Sequence, residues 1–159
     1  MKKSIMNLVG YTSIFILLLS GCNKDQVFIN AETEIHSITA EEFEVIGVGD
    51  IENPNIDDFK RLKVNLEIEN VENLQSHEIT TPNFRQIINS IDNNHERYWF
   101  GNESKESTKY TLEMVFFARG LEEEDIRNAF KEEYITVILE KEDFRNIKRI
   151  NVSEKLEFK

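Results

Sequence analysis

The chain has 159 residues, with 30 acidic against 19 basic side chains and a formal net charge of −11. This length fits one domain that can bury enough apolar surface to fold unaided, and the single cysteine excludes an intrachain disulfide. The acidic excess excludes nucleic acid and anionic lipid headgroups as binding partners, because a negatively charged surface repels them. It favours basic peptides, basic proteins or divalent cations, and solubility alone is the simpler interpretation.

The first residues have the three parts of a secretory signal peptide. Lys2-Lys3 gives a positive start, Ile14–Leu19 is the densest apolar run of the chain, and the small residues Ser20-Gly21 follow it. A membrane span needs about 20 mainly apolar residues, and this segment is shorter and interrupted by polar side chains. We therefore predict a helical signal peptide at residues 1–21.

The end of this segment resembles the lipobox of bacterial lipoproteins. Leu19 fits the apolar position of that motif, Ser20 and Gly21 fit its two small positions, and Cys22 is the cysteine that follows them. The resemblance implies a diacylglycerol on the Cys22 thiol, cleavage before Cys22, and a lipid anchor on the outer face of the cell membrane. Because the signal peptide carries two lysines and no acid, the mature chain has a formal charge of −13.

The first part of the mature chain is predicted to be a tether followed by β-structure. Residues 22–32 are mostly polar around a short apolar patch at Val27–Ile29, where a first strand is possible. Glu34–Val48 mixes β-branched and alternating residues typical of one or two strands. Asp50–Asp58 is predicted to be a loop around a proline. The clearest strand is Arg61–Glu69, where apolar and polar residues alternate strictly.

The middle of the chain is predicted to hold two further strands. A loop from Asn70 to Pro82 precedes Phe84–Ile91, which is ambiguous between a strand and a helical turn. His95–Phe100 is a strand candidate that Gly101-Asn102 closes. Thr108–Ala118 is predicted to be a strand that is apolar on both faces and therefore central in its sheet. One face carries Tyr110, Leu112, Met114 and Phe116, and the other carries Val115 and Phe117.

The last part of the chain contains the one predicted helix. Leu121–Phe130 has acids in its first turn, where the helix dipole favours them, and three apolar residues at helical spacing. Tyr134–Leu139 is rich in β-branched residues and is predicted to be a strand. Ile147–Phe158 is predicted to form one or two more.

These elements predict a mainly β fold. We expect an antiparallel immunoglobulin-like β-sandwich with one short helix, formed by residues 33–159 and preceded by the signal-peptide helix. Over Phe59–Leu139 the pattern resembles the immunoglobulin-like domains of small Gram-positive surface lipoproteins. The Cys–Trp–Cys framework of antibody domains is absent from the sequence. The resemblance implies a fold and no particular activity.

The sequence shows no catalytic signature. It lacks a G-x-S-x-G elbow, and its only cysteine is the lipidation candidate. His36, His77 and His95 lie on separate segments, and no His-Glu pair is followed by the second histidine of a zinc protease. Gly47-Val48-Gly49 lacks the third glycine of a dinucleotide-binding loop. We predict no enzymatic activity, while carboxylates that converge only in the fold keep an enzyme as the third hypothesis.

The acidic loop is the candidate metal site. Asp50, Glu52, Asp57 and Asp58 are the candidate ligands, because calcium prefers such hard oxygen ligands and extracellular calcium sites can be weak. Their spacing does not match an EF-hand. A solvated acidic loop is the alternative interpretation, and no cofactor other than the diacylglycerol is predicted.

Aromatic residues give the candidate binding surface. Tyr98-Trp99-Phe100 and Phe116-Phe117 could line an apolar groove for a peptide or glycan. Strand alternation predicts that Tyr98 and Phe100 share one face while Trp99 takes the other. A core face with an isolated surface aromatic on the other side is the alternative interpretation.

The sequence therefore predicts a membrane-anchored extracytoplasmic lipoprotein, acting as a non-catalytic binding or accessory module of the cell envelope. Its predicted partners are the lipid membrane, through the anchor, and a basic peptide or protein, and nucleic acid is excluded. The alternative is an immunity or inhibitor lipoprotein that captures a cationic peptide.

Overall fold

A computed structural model gives the fold of three stretches of the chain, residues 26–49, 51–92 and 97–159. The predicted signal peptide with its lipobox Leu19–Cys22, the calcium candidate Asp50 and the third histidine, His95, lie outside these described residues. Within the three stretches, none of the helices is long and apolar enough to cross a membrane.

The described residues form eight strands and four short helices, which confirms the prediction of a mainly β fold. The strands are β1 (Phe28–Ser37), β2 (Phe59–Glu69), β3 (Ser76–Thr80), β4 (Tyr98–Lys105), β5 (Lys109–Phe117), β6 (Tyr134–Lys141), β7 (Phe144–Asn151) and β8 (Leu156–Phe158). The helices are α1 (Ala40–Val45), α2 (Phe84–Ser90), α3 (Glu123–Ala129) and α4 (Val152–Lys155). A 3-10 turn, Ile56–Asp58, leads into β2.

The strands form two sheets. The larger sheet has the order β4-β5-β2-β1-β8, and its neighbours are antiparallel except for β8, which runs parallel to β1. The smaller sheet is antiparallel with the order β3-β6-β7. The edges are therefore β4 and β8 in the larger sheet, and β3 and β7 in the smaller one.

One apolar cluster fills the space enclosed by both sheets, α2 and α3. The period-two pattern of β2 and β5 is confirmed, because each strand buries alternate residues. From β2 the cluster takes Leu62, Val64, Leu66 and Ile68. From β5 it takes the predicted set, Tyr110, Leu112, Met114 and Phe116, all of them buried.

A smaller apolar cluster lies on the other face of the larger sheet, where α1 and the following loop cover it. Phe59 and Val115 belong to its buried centre, and the ring of Trp99 packs against them. The indole Nε1 of Trp99 donates to the carbonyl oxygens of Ile46 and Gly47 at 3.0 and 2.9 Å. Strand β5 is therefore apolar on both faces because an apolar cluster covers each of them, and it lies inside the sheet between β4 and β2, as predicted.

Strand β1 takes up the end of residues 22–32, where a tether with a possible first strand was predicted. The strand begins at Phe28 and pairs with β2 along its whole length. Its inward positions include Ala31, which is only partly buried, and the polar but buried Thr33. Such side chains give no apolar alternation in the sequence, so the strand is specified by its neighbours β2 and β8.

The structure has four short helices where the sequence predicted one. The predicted helix is α3, but α1 lies in Glu34–Val48, which was predicted to be strand. Thr39 begins α1 with a capping box, because its hydroxyl accepts from the backbone of Glu42 and the Glu42 carboxylate accepts from the backbone of Thr39. The ambiguous segment Phe84–Ile91 forms α2.

Two strand boundaries also differ from the prediction. The predicted loop from Asn70 to Pro82 contains β3, whose one buried residue, Ile79, is too little to make a visible pattern. Strand β4 passes through Gly101-Asn102 and continues to Lys105. Gly101 belongs in this strand because its backbone lies so close to β5 that a side chain would collide with Met114.

Candidate functional site

A groove of about 460 Å³ opens between the edge strand β4 and the segment that leads into α2. This volume lies within the range of small-molecule sites, roughly 300–1,000 Å³. Residues from both sides and from the floor line the groove: Thr81, Pro82, Asn83, Phe84, Arg85, Tyr98, Gly101, Asn102, Glu103, Leu112 and Met114.

The irregular pairing of β4 shapes one wall of the groove. The register between β4 and β5 shifts between Tyr98 and Phe100, as it does at a β-bulge, and Tyr98 and Gly101 both line the groove. A Cβ atom at Gly101 would lie 2.6 Å from the Cβ atom of Met114 and 2.8 Å from the carbonyl oxygen of Glu113. Because Gly101 has no side chain, the largely buried Met114 forms part of the floor.

The start of α2 forms the other wall. The side-chain oxygen of Asn83 accepts from the backbone N–H of Gln86 at 3.0 Å and caps the helix. Phe84 then turns into the core, where its ring lies 6.4 Å from that of Tyr110. The next residue, Arg85, is exposed, and its guanidinium carbon lies 4.4 Å from the ring centroid of Tyr98. The two walls therefore meet where Arg85 stacks on Tyr98.

The groove contains two opposite charges that do not pair with each other. Within the described residues, neither Arg85 nor Glu103 lies within 4.0 Å of an oppositely charged group. Glu103 lies near the buried hydroxyl of Tyr110, and burial followed by the Glu103 charge raises the pKa of Tyr110 well above its ordinary value. Tyr110 therefore stays a neutral hydrogen-bonding group beneath the groove.

The predicted aromatic surface is mostly core. Tyr98 lines the groove, but Trp99 and Phe117 pack into the smaller cluster and Phe116 is fully buried. Phe100 is 43% exposed and does not line the groove, so the predicted shared face of Tyr98 and Phe100 is broken by the bulge. The wall of the groove is therefore set by charged and amide side chains rather than by an aromatic row.

The acidic loop is organised by an arginine. Arg119 donates to the backbone carbonyls of Glu52 and Asn53 at 3.1 and 2.8 Å, and to the carboxylate of Asp58 at 2.6 Å. Among the described residues, no three His, Cys, Asp or Glu side chains converge as metal ligands. Asp57 lines a hollow with His36, Lys60 and Glu123, among other residues. The calcium site stays a prediction.

Asp58→Asn is expected to destabilise the domain at neutral pH and to reduce its sensitivity to acid. The hydrogen bond from Arg119 is the main cause that holds the pKa of Asp58 below its ordinary value of 3.8. The ionised carboxylate therefore adds stability above that value, and this contribution is lost as the pH falls through the lower folded-state pKa. Urea unfolding from neutral to acid pH measures the effect.

The control is Asp57→Asn, because only the backbone N–H of Asp57 takes part in the turn, as a donor to Asn55. An equal loss in both variants would contradict the role of the Arg119 pair. Melting temperatures with millimolar calcium or magnesium at fixed ionic strength test the metal hypothesis in the same proteins. A calcium-specific rise that both substitutions remove would support the site.

The two described histidines lie in different sheets. The Nε2 atom of His36 on β1 is 2.8 Å from a carboxylate oxygen of Glu34, which also bonds Lys159. The Nε2 atom of His77 on β3 is buried and has no hydrogen-bond partner within the described part of the chain. The fold therefore does not bring these two side chains to one place.

Neither protein-family models, nor curated proteins, nor solved structures match this chain. The function is therefore argued from the groove and from the sequence alone. Arg85 and Glu103 were not singled out in the sequence. The signals were present, however: Asn83 stands three residues before Gln86, a helix-start pattern, and Gly101 interrupts a strand, which marks a close approach.

Proposed function

We propose that this chain is a lipid-anchored extracytoplasmic lipoprotein whose domain is a non-catalytic binding module of the cell envelope. The observation that carries the binding role is the groove, where neither Arg85 nor Glu103 has an oppositely charged group within 4.0 Å among the described residues. The volume of the groove lies within the range of small-molecule sites.

The anchor is supported by the sequence. Leu19–Cys22 follows a basic start and an apolar run, and strand β1 begins soon afterwards at Phe28. A diacylglycerol on Cys22 carries two acyl chains, which give a stable hold on a bilayer, whereas one chain gives a marginal hold.

The strand order supports an immunoglobulin-like topology. Constant-type immunoglobulin domains have the order A-B-E-D in one sheet and C-F-G in the other. If β1 to β7 are lettered A to G, then β1-β2-β5-β4 and β3-β6-β7 follow the same two orders. The additions are β8 beside β1 and the four short helices in the connections.

A binding role is favoured over catalysis by the chemistry of the groove. Its described lining contains amide, guanidinium, carboxylate and phenol groups and the hydroxyl of Thr81. Such groups orient a ligand by hydrogen bonds and charge, and the sequence carries no signature of nucleophilic catalysis. The alternative, an immunity or inhibitor lipoprotein that captures a cationic peptide, is favoured by the acidic excess and predicts binding through Glu103.

The anchor is tested with Cys22→Ser in a bacterial host supplied with a labelled fatty acid. We expect the wild type to be labelled and to sediment with membranes, and the variant to be unlabelled and uncleaved, because both steps act on the cysteine. Ser20→Ala is the control and should keep the label, since the position needs only a small side chain. If the mature protein retains an unmodified Cys22 with residues still preceding it, the anchor proposal is wrong.

The binding role is tested by NMR of the purified protein with soluble cell-wall glycan fragments, cationic peptides and neutral peptides. We expect at least one class to shift the amide signals of Gly101 and Asn102 in the groove. If no class shifts them while the domain stays folded, the binding module is rejected.

A further inference from the structure

We infer that the groove binds the carboxyl terminus of an extended peptide, with its terminal carboxylate on Arg85 and an ammonium or N–H donor of the ligand on Glu103. The inference rests on the proposed function, in that the groove is the ligand site, and it names the class of ligand. Four observations carry it. Arg85 has no carboxylate partner among the described residues, and Glu103 places a negative charge in the same groove. Amide side chains line the groove, and β4 is an edge strand.

Arg85 stands apart from the other arginines. Four of the seven arginines pair with carboxylates: Arg61 with Glu42, Arg97 with Asp92, Arg119 with Asp58 and Arg145 with Glu140. Arg127 donates to the backbone carbonyls of Ser153 and Leu156. Within the described residues only Arg85 and Arg149 make neither contact, and Arg85 is the one that lines the groove.

The lack of a carboxylate partner for Arg85 among the described residues is notable, because the chain has 30 acidic and only 19 basic side chains. The stacking on Tyr98 engages the flat face of the guanidinium of Arg85. A guanidinium carries its N–H donors around the rim of its plane, and their fork matches the two oxygens of a carboxylate or phosphate. Stacking therefore fixes Arg85 in place and leaves its donors free for an anion from outside.

Glu103 decides which anion. A free phosphate or another multiply charged anion would be repelled by the Glu103 carboxylate in the same groove and by the net charge of −11. A ligand with a single carboxylate and a separate positive or N–H group satisfies both walls. The charges therefore select a dipolar ligand, such as a peptide or an amino acid.

The rest of the lining suits a peptide. Asn83 uses its side-chain oxygen to cap α2, which leaves its amide N–H donors for a ligand carbonyl. Asn102 and Thr81 add further donors and acceptors on the two walls. Peptide groups need both kinds of partner when they leave water, because an unmade hydrogen bond is costly.

The edge of β4 offers the backbone contacts of a strand. The backbone N–H of Glu106 donates to the carbonyl of Lys109 at 2.8 Å, so these opposed residues form a hydrogen-bonded pair. Bonded and non-bonded pairs alternate in an antiparallel ladder, so the backbone groups of Gly101 and Glu103 point away from β5. These groups lie on the open edge beside the groove, where an extended peptide can pair with them.

The test is calorimetric titration of the purified full chain, solubilised in detergent, with triglycine. The comparison probes are triglycine amide, N-acetyltriglycine, free glycine and inorganic phosphate. We expect triglycine to bind, and we expect blocking its carboxylate to weaken binding about tenfold or more, as loss of a charged hydrogen bond does. Phosphate should not bind measurably. Free glycine should bind more weakly than triglycine, and equal binding would overturn the peptide terminus in favour of a free amino acid.

The variants assign each charge to its partner. Arg85→Gln should weaken triglycine about tenfold or more and remove the difference between triglycine and its amide. Glu103→Gln should remove the difference between triglycine and N-acetyltriglycine. Arg149→Gln is the matched control and should leave binding unchanged, because Arg149 also stacks on a tyrosine, Tyr134, but does not line the groove. Binding that survives Arg85→Gln would overturn the inference.

Failure of the inference is distinguishable from failure of the proposed function. If phosphate binds as tightly as triglycine and depends on Arg85, the groove is a simple anion site and the inference is wrong. If a glycan fragment shifts the groove signals while triglycine does not bind, the ligand class is wrong and the binding module stands. If no probe binds the folded protein, both are rejected.

Discussion

Phe59→Ala is expected to lower the free energy of unfolding by about 3–5 kcal/mol, the usual loss when a buried phenylalanine is truncated. Phe59 has no exposed surface, and its ring lies 5.4–5.9 Å from the rings of Phe43, Trp99 and Phe117. The contact with Phe43 joins the larger sheet to α1. The substitution would leave a cavity in the small cluster, where few other side chains can close it.

The matched control is Phe100→Ala, because Phe100 is 43% exposed and should cost less than about 1 kcal/mol. Urea unfolding followed by tryptophan fluorescence measures both variants, since the single Trp99 lies in this cluster. Similar losses in the two variants would show that the cluster under α1 is not a tightly packed core.

Strands with one face in the core and one in water were predictable from the sequence. Arg61–Glu69 alternates strictly, and the structure forms β2 there with the predicted residues inward. Thr108–Ala118 was predicted equally well, because Tyr110 and its neighbours on that face all point to the enclosed cluster. In both segments successive side chains point to opposite faces of the sheet, so burial of one face appears in the sequence as a period of two.

Elements specified by their neighbours were not predictable in the same way. Strand β1 carries Ala31 and Thr33 at inward positions, and its place is fixed by pairing on both sides. Helix α1 lies in a segment with β-branched residues, and only Thr39 and Glu42 mark its start. There, long-range pairing and a local cap each outweigh the average preference of the segment.

The groove could not be derived from the sequence because it depends on distant parts of the chain. Arg85 on α2 meets Tyr98 on β4 only after the bulge turns Tyr98 toward the groove. Glu103 is a candidate ligand contact only because no arginine or lysine of the described chain pairs with it. A sequence pattern records the composition of each wall and not the distance between the walls.

Arg97→Met is expected to cost about 3 kcal/mol, because it removes a buried guanidinium that donates to a carboxylate and to two backbone carbonyls. The Arg97 side chain is 5% exposed, and its Nε atom donates to the carboxylate of Asp92 at 3.0 Å. Its Nη1 atom donates to the carbonyl of Phe117 at 2.8 Å and to that of Arg119 at 3.3 Å. Methionine fills a similar volume but removes the donor from the carbonyls of Phe117 and Arg119.

The matched control is Arg145→Met, because the Arg145–Glu140 pair is 60% and 41% exposed and such surface pairs are worth less than about 1 kcal/mol. Urea unfolding measures both variants. Arg97 directly precedes Tyr98, and the backbone N–H of Phe117 donates to the carbonyl of Arg97 at 2.7 Å, so this residue ties the start of β4 to the end of β5. Loosening that tie moves the ring on which Arg85 stacks, and Arg97→Met should therefore also weaken triglycine binding while Arg145→Met does not. Equal stability losses at the two arginines would show that the buried guanidinium of Arg97 is not what holds this corner of the fold.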